Sequence, residues 1–174
     1  MDTFLRNWLA WPAVEHFFTD HIWAWPLCET FHFVGVCLLI GGIGIFDLRI
    51  LGVAKALPLS FMRRLLPWAV FGFILTVATG VPFVLGFRAD LPIDSYDVVK
   101  ADSWLQLKLL FMFLAGINLS VFYLSGTSKV VDSLGVGDDA PLAAKVMAGA
   151  SLFLWLGVVY FGRLIPEGLP TVFY

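Results

Sequence analysis

Charged residues are scarce in this chain, and histidine and cysteine are scarcer still. Only 14% of its residues carry charge, against roughly 25% in soluble domains, so the composition excludes an ordinary soluble protein. The chain also has no phosphate-binding glycine loop after a strand, no nucleophile elbow and no basic stripe. These absences argue against a nucleotide-binding enzyme, a serine hydrolase and a nucleic-acid-binding protein.

What the chain has instead is apolar sequence. It is 60% hydrophobic, with a mean hydropathy of +0.89. Four apolar stretches of about twenty residues each match the thickness of a bilayer, and they cover approximately residues 26–48, 65–87, 104–124 and 142–165. We therefore predict an all-α integral membrane protein, a four-helix bundle that forms a single domain over residues 1–174.

The segment before the first stretch has a different pattern. Across residues 1–22, aromatic and aliphatic side chains recur at helical intervals between polar ones, as in a helix that lies in the headgroup layer. This predicts an amphipathic interfacial helix, bent or broken at Pro12. The segment is long and acidic, and no Ala-x-Ala pattern follows the apolar run, so we do not interpret it as a signal peptide.

Basic residues predict the orientation in the membrane. The connection after the first stretch carries Arg49, Lys55, Arg63 and Arg64, whereas the connection after the second is mainly acidic. Because cytoplasmic loops are enriched in basic residues, the first connection is predicted to be cytoplasmic. Both chain termini then lie on the non-cytoplasmic side. The expected location is the inner (cytoplasmic) membrane of a bacterium.

Four ionisable residues inside the apolar stretches suggest a functional site. Glu29 and His32 are three residues apart, a spacing that places both on one face of a helix, where the carboxylate can orient the imidazole or relay protons. In the predicted orientation, Lys108 and Arg163 lie in the same outer half of the membrane. Placing charged side chains inside the bilayer costs free energy, so the occurrence of all four at a similar depth indicates a functional site around His32. The alternative is structural, with the basic side chains extending to the headgroups or pairing with Glu29.

Haem b is the cofactor that these residues favour. A neutral imidazole is a common ligand of haem iron, and Lys108 and Arg163 can neutralise its propionates. The other two histidines, His16 and His21, precede the first stretch, so two histidines cannot face each other from different spans. Iron is then five-coordinate on His32, or takes Lys108, His21 or His16 as its sixth ligand.

Copper is the alternative metal. It would be bound by His32 together with Cys28 or Met112, because soft ligands suit copper(I). Cys28 and Cys37 are nine residues apart and face opposite sides of one helix, so they cannot form a disulfide within it. Apart from this metal site, we interpret the cysteines as packing residues.

Other small and polar residues in the stretches indicate helix packing. Small side chains spaced four residues apart allow close backbone approach, and they occur at Gly72, Thr76 and Gly80 and at Gly116 and Ser120. Asn118 is predicted to hydrogen-bond to a neighbouring helix, and Asp47 with Arg49 to mark the cytoplasmic end of the first helix. Because such ladders also join subunits, the sequence leaves the oligomeric state open.

Short motifs occur in all four stretches, namely Glu29-x-x-His32-x-x-Gly35, Asp47-Leu48-Arg49-x-Leu51-Gly52, Leu65-Leu66-Pro67-Trp68, Lys108-Leu109 and Trp155-Leu156-Gly157-x-x-x-x-Gly162-Arg163. In this order they resemble an uncharacterised family of bacterial four-helix membrane proteins, over almost the whole chain. More distantly, the histidine and the lysine are similar to those of HemJ-type protoporphyrinogen oxidases and of the membrane domain of copper-resistance protein D. That resemblance implies that His32 is the haem or metal ligand and Lys108 its partner. Family members often end the third helix with a histidine, where this chain has Tyr123.

Two functional hypotheses follow. The first is a haem-binding membrane protein for electron transfer or porphyrin handling, with a redox partner in the membrane or the periplasm. The second is a non-catalytic accessory subunit of a membrane complex, or a copper-handling membrane protein. A transporter has less support, since the two halves of the chain show no inverted repeat. Whether the protein is an enzyme is left open by the sequence.

Overall fold

All regular structure that the computed structural model describes is helical. The described residues are 9–85 and 95–168, together with Phe4 and Asn7. In chain order the helices are α1 (Pro12–Asp20), α2 (Ala24–Leu51), α3 (Leu59–Arg63), α4 (Leu66–Leu85), α5 (Ser95–Ala101), α6 (Ser103–Leu124), α7 (Thr127–Asp132) and α8 (Leu142–Gly168).

Four helical segments are long and apolar enough to cross a membrane. They are α2, the segment Leu59–Val84 that joins α3 to α4, α6, and residues Leu142–Ile165 of α8. Large apolar side chains such as Phe33, Phe113 and Phe153 are exposed on them, as expected of surfaces that contact lipid. The predicted all-helical fold, with four helices long and apolar enough to span a membrane, is confirmed.

Two boundaries differ from the sequence prediction. Helix α2 has 28 residues and extends beyond the predicted 26–48 at both ends. It ends at Gly52, whose φ of 96° is left-handed, and the N–H of Val53 donates to the carbonyl of Leu48. Glycine accepts this conformation at little cost, so it ends the helix. The last two residues of the predicted second span, 86 and 87, lie outside the described residues.

The cap of α6 is a buried aspartate. Asp102 is fully buried, and its carboxylate accepts hydrogen bonds from the backbone N–H groups of Trp104 at 2.8 Å and Leu105 at 3.0 Å. These bonds satisfy donors that have no partner within a helix, which fixes where the third span begins.

Helices α2 and α4 cross at small residues. A methyl group added to Gly72 would lie 2.6 Å from the carbonyl oxygen of Gly35, and one added to Gly42 would lie 2.8 Å from the Cβ of Ala69. The backbones touch because there is no side chain between them. The packing role predicted for the ladder around Gly72 is therefore confirmed.

Helix α6 packs against α8, and α8 against α2. The ring of Phe111 fills the space beside Gly157, and the amide of Asn118 donates to the carbonyl of Met147 at 3.0 Å. The interhelical bond predicted for Asn118 is confirmed. Gly116, in the second ladder, does not pack against another described helix, because a methyl group there would have nothing within 4 Å. Helices α4 and α6 make little contact in the described residues, which leaves a gap between them.

We call the two ends of the bundle the Arg49 end, which carries residues 52–65 and 125–141, and the His32 end, which carries α1 and α5. The Arg49 end holds the main apolar core, in which the buried residues are Phe46, Ile50, Leu59, Met62, Phe122, Val131, Ala140, Ala144 and Ala148. The short helices α3 and α7 close this end, because Leu59, Met62 and Val131 belong to them.

A buried arginine ties the two connections of the Arg49 end together. The guanidinium of Arg49 is 1% exposed and donates to the carbonyl oxygens of Leu57 at 3.0 Å, Gly135 at 2.9 Å and Asp138 at 3.3 Å. Since Leu57 and Gly135 belong to different connections, one side chain holds both. Arg49 lies at the end of the first helix, as predicted, but it faces the protein interior.

Partly exposed ion pairs also occur at the Arg49 end. Asp139 pairs with Lys55 and with Lys145, both at 2.7 Å, and Arg63 pairs with Asp132. Two of these pairs join one connection to the other, and the pair with Lys145 joins the second connection to α8, so all three add to the closure at this end. Exposed pairs of this kind contribute only about 0–1 kcal/mol each.

The N-terminal segment contains the short helix α1. It begins at Pro12, where a missing N–H costs nothing, and the preceding Ala10 and Trp11 are not helical. A turn at residues 21–23 leads into α2. Contact of the 1–22 segment with headgroups stays a prediction.

Candidate functional site

His32 lies on the face of α2 that packs against α4. Its Nδ1 is 3.1 Å from the hydroxyl oxygen of Thr79. That hydroxyl is also 2.6 Å from the carbonyl oxygen of Leu75, one turn earlier, to which it donates its only proton. The threonine oxygen must then accept from Nδ1–H, which assigns the proton of the imidazole to Nδ1. The lone pair of the ring is left on Nε2.

Apolar groups of α4 pack closely against the imidazole. A methyl group at Gly80 would lie 3.3 Å from the Cε1 atom of His32, so glycine allows the ring to approach the α4 backbone. The ring of Phe83 meets the imidazole edge-on, with centroids 5.2 Å apart. His32 is half-buried, and no hydrogen bond involves its Nε2 among the described residues. This nitrogen is available to a ligand.

Lys108 approaches the same region from α6. Its side chain is half-buried and packs on Gly162 of α8, where a methyl group would lie 3.4 Å from Nζ. No hydrogen bond or ion pair joins it to His32 among the described residues. Within residues 9–85 and 95–168 no carboxylate pairs with it. The structure places the predicted pair, His32 on α2 and Lys108 on α6, at the same end of the bundle.

The remaining predicted site residues are more peripheral. Glu29 and Arg163 are exposed, and His16 is exposed on α1. His21 binds the carbonyl of Phe17 through Nδ1 at 3.0 Å and stacks on its ring. Neither His16 nor His21 contacts His32 in the described part of the chain, so their roles as metal ligands stay predictions.

Cys28 and His32 contact the same residue of α4. The thiol of Cys28 donates to the backbone carbonyl of Thr79 at 3.4 Å, while the imidazole binds the Thr79 hydroxyl. Cys37 is exposed, and Met112 lines a cavity towards the Arg49 end. No cluster of three or more histidine, cysteine, aspartate or glutamate side chains suited to a metal occurs among the described residues.

Thr79 is the site residue that sequence reasoning missed. It lies between Thr76 and Gly80, which we interpreted as packing residues, and a threonine in such a ladder looks like another small side chain. The available signal was its spacing of seven residues from Gly72, which places both on the α2-facing side of α4.

Comparison with known proteins adds no relative. No family model, no curated protein and no solved structure matches this chain. Its function is therefore inferred from the geometry alone.

Proposed function

We propose that this protein binds haem b at His32, for electron transfer or porphyrin handling. The observation that supports this most is the hydrogen bond from Nδ1 to Thr79, because it leaves Nε2 as the free ligand atom. Metal-binding histidines commonly donate their other N–H to a fixed acceptor in this way, which sets the tautomer and the ring orientation.

The basic residues at the His32 end of the bundle fit an anionic porphyrin. Lys108 and Arg163 have no carboxylate partner in the described residues, and Arg163 follows Gly162, on which Lys108 packs. Two cations match two propionates, and Lys108 is alternatively a sixth iron ligand. Glu29 lies one turn before His32 and is exposed, so it would relay protons between the site and its surroundings. Bound in this way, haem supplies one-electron redox chemistry.

We also propose that the His32 end faces away from the cytoplasm. Lys55, Arg63, Arg64 and Lys129 belong to connections at the opposite end, and basic residues are retained on the cytoplasmic side. A redox partner would then approach from the periplasm or within the membrane of a bacterium. Alkaline phosphatase fused after residue 174 tests this, since it is active only outside the cytoplasm.

Copper(I) is the second candidate ligand. The shared contact of Cys28 and His32 with Thr79 favours it, because a thiolate and an imidazole can form a two-ligand copper(I) site. Cys28→Ser separates the two metals. It should abolish copper binding and leave haem content unchanged.

Absorption spectra of histidine variants test the haem proposal. The full chain, His32→Ala, His16→Ala and His21→Ala are purified in mild detergent, and reduced-minus-oxidised spectra are compared at equal protein concentration. We expect His32→Ala to lose the Soret band while the other two variants retain it. Full haem content in folded His32→Ala would remove His32 from this role. A colourless, metal-free wild-type protein would favour the accessory subunit instead.

A further inference from the structure

A cavity of about 360 Å³ lies between the four spans, in the half of the bundle nearer the Arg49 end. It is separate from the haem site, because neither His32 nor Lys108 lines it. Its volume falls in the range of about 300–1,000 Å³ that is typical of small-molecule sites.

The cavity opens towards lipid through the gap between α4 and α6. Its outer lining consists of exposed residues of these two helices, Val70, Phe73, Leu119 and Tyr123. Its inner lining includes the buried residues Asp47 and Ala148. A ligand dissolved in the bilayer can therefore reach Asp47 without passing through water.

Asp47 is a buried acidic residue that forms no ion pair with the described residues. It is 5% exposed, and its Oδ2 has no hydrogen-bond partner in the described part of the chain. Ser151 is the side chain that interacts with this carboxyl group. The nearest arginine along the chain, Arg49, is bound to backbone carbonyls, and Arg63 is paired with Asp132. Burial without a partner disfavours the ionised form of this carboxyl group, so a donor placed at this oxygen would stabilise the charge.

The walls of the cavity suit an organic cation. Five aromatic side chains line it, namely Phe46, Phe73, Phe122, Tyr123 and Trp155, and its lining in the described part of the chain contains no lysine or arginine. Aromatic faces attract cations, most strongly where water is excluded. A bare metal ion is disfavoured, since magnesium or calcium needs several oxygen ligands and the described lining residues include one carboxyl group.

We propose that this cavity binds a lipophilic amine in its protonated form. The ammonium group donates to Oδ2 of Asp47 and lies among the aromatic rings, and the apolar part of the amine fills the remaining volume. A phospholipid headgroup fits less well, because its phosphate would enter an apolar cavity without a cation to pair with. The protein would thus take its ligand from the membrane, independently of any haem at His32.

Binding of a fluorescent amine tests this proposal. The full-length chain is placed in phosphatidylcholine nanodiscs and titrated with monodansylcadaverine, with empty nanodiscs subtracted. Energy transfer from tryptophan to the dansyl group reports binding, because Trp155 lines the cavity. The control ligand is the N-acetylated probe, which has the same dansyl group and linker but carries no charge.

Two variants change the cavity, and one serves as a control. Asp47→Asn removes the charge with little change in volume. Gly116→Leu extends into the cavity from α6, where an added Cβ would meet nothing within 4 Å. Asp20→Asn removes an exposed carboxylate on α1. Each variant is checked for helix content and a monodisperse elution profile.

We expect saturable binding of about one amine per wild-type and Asp20→Asn chain. Asp47→Asn and acetylation of the probe should each weaken binding about tenfold or more, the loss expected for a charge-assisted hydrogen bond. Gly116→Leu should abolish binding. Equal binding of the two probes by wild-type protein overturns the proposal, and so does unchanged binding by folded Asp47→Asn or Gly116→Leu. If Asp47→Asn does not fold, the proposal is tested by the binding of the acetylated probe to wild-type protein and by the binding of the amine to Gly116→Leu.

Discussion

The imidazole of His32 and the hydroxyl of Thr79 are joined by a 3.1 Å hydrogen bond between α2 and α4. The same hydroxyl donates to the carbonyl of Leu75 at 2.6 Å, so its oxygen can only accept from the ring. A threonine on one helix thereby fixes the tautomer of a histidine on another, and Nε2 is left to bind a ligand.

Thr79→Val should weaken haem binding, since valine has the same shape but cannot accept from Nδ1–H. Loss of such a supporting bond lowers metal affinity by roughly 10- to 100-fold. Haem titration measured at the Soret band checks this, with Thr79→Ser expected to restore affinity. Thr76→Val is the matched control, because the Thr76 hydroxyl has no hydrogen-bond partner in the described residues. Equal affinity of Thr79→Val and wild type would contradict the assigned role.

Gly72→Ala should destabilise the bundle. Its methyl group would lie 2.6 Å from the backbone oxygen of Gly35, which cannot move without separating α2 from α4. Overpacking of this kind costs about 1–3 kcal/mol in the free energy of unfolding. The control is Gly116→Ala, which meets nothing within 4 Å and should stabilise its helix by up to about 1 kcal/mol. Unfolding in a graded detergent series measures both, and equal effects would refute the close crossing.

Arg49→Leu should open the Arg49 end, because three backbone carbonyls would lose a buried, charged donor. We expect a loss of about 3 kcal/mol in the free energy of unfolding. Arg49→Lys should recover part of it, since an ammonium cannot reach all three oxygens at once. Arg64→Leu is the control, as Arg64 is exposed and should change stability by less than about 0.5 kcal/mol. If Arg49→Leu also changed the free energy of unfolding by less than about 0.5 kcal/mol, the two connections would be held by other contacts.

Asp139 should make stability depend on acid pH. Hydrogen bonds from Lys145 and Lys55 lower the pKa of its carboxyl group from 3.8 to about 2. Because this pKa is lower in the folded state, the stabilisation is complete above pH 3.8 and is lost as the pH falls through about 2. The difference in unfolding free energy between wild type and Asp139→Asn should therefore shrink across that interval. A difference that does not vary with pH there would rule out the contribution.

The spans were predictable because composition and length determine them. The runs 104–124 and 142–165 correspond closely to α6 and α8, since an apolar run of bilayer length has few other structures available. The packing of Gly72 against Gly35 also follows from a local pattern. Gly116 has the same pattern, but it faces the gap between α4 and α6. This could not be predicted, because the spacing of small residues along one helix does not reveal which neighbouring helix they meet.

Contacts between distant helices were not predictable. Depth in the membrane and residue type indicated His32 and Lys108 as site residues. Their relative position, however, depends on how α6 is rotated against α8. Asp47 was interpreted as the marker of a helix end, whereas α2 continues to Leu51 and buries it. The available signal was that Asp47 lies four residues after Ile43 and eight after Leu39, on the side of α2 that faces the interior.

The central claim, that His32 binds haem, is tested most directly by measuring haem and metal content on one sample. Wild-type protein is purified in mild detergent from haem-supplemented cells, and haem is quantified by the pyridine haemochrome method alongside iron and copper. The account predicts a Soret band and about one haem and one iron per chain, with little copper. A colourless, iron-free protein would contradict it. Copper in that sample would favour the Cys28 and His32 site, and its absence would favour an accessory subunit.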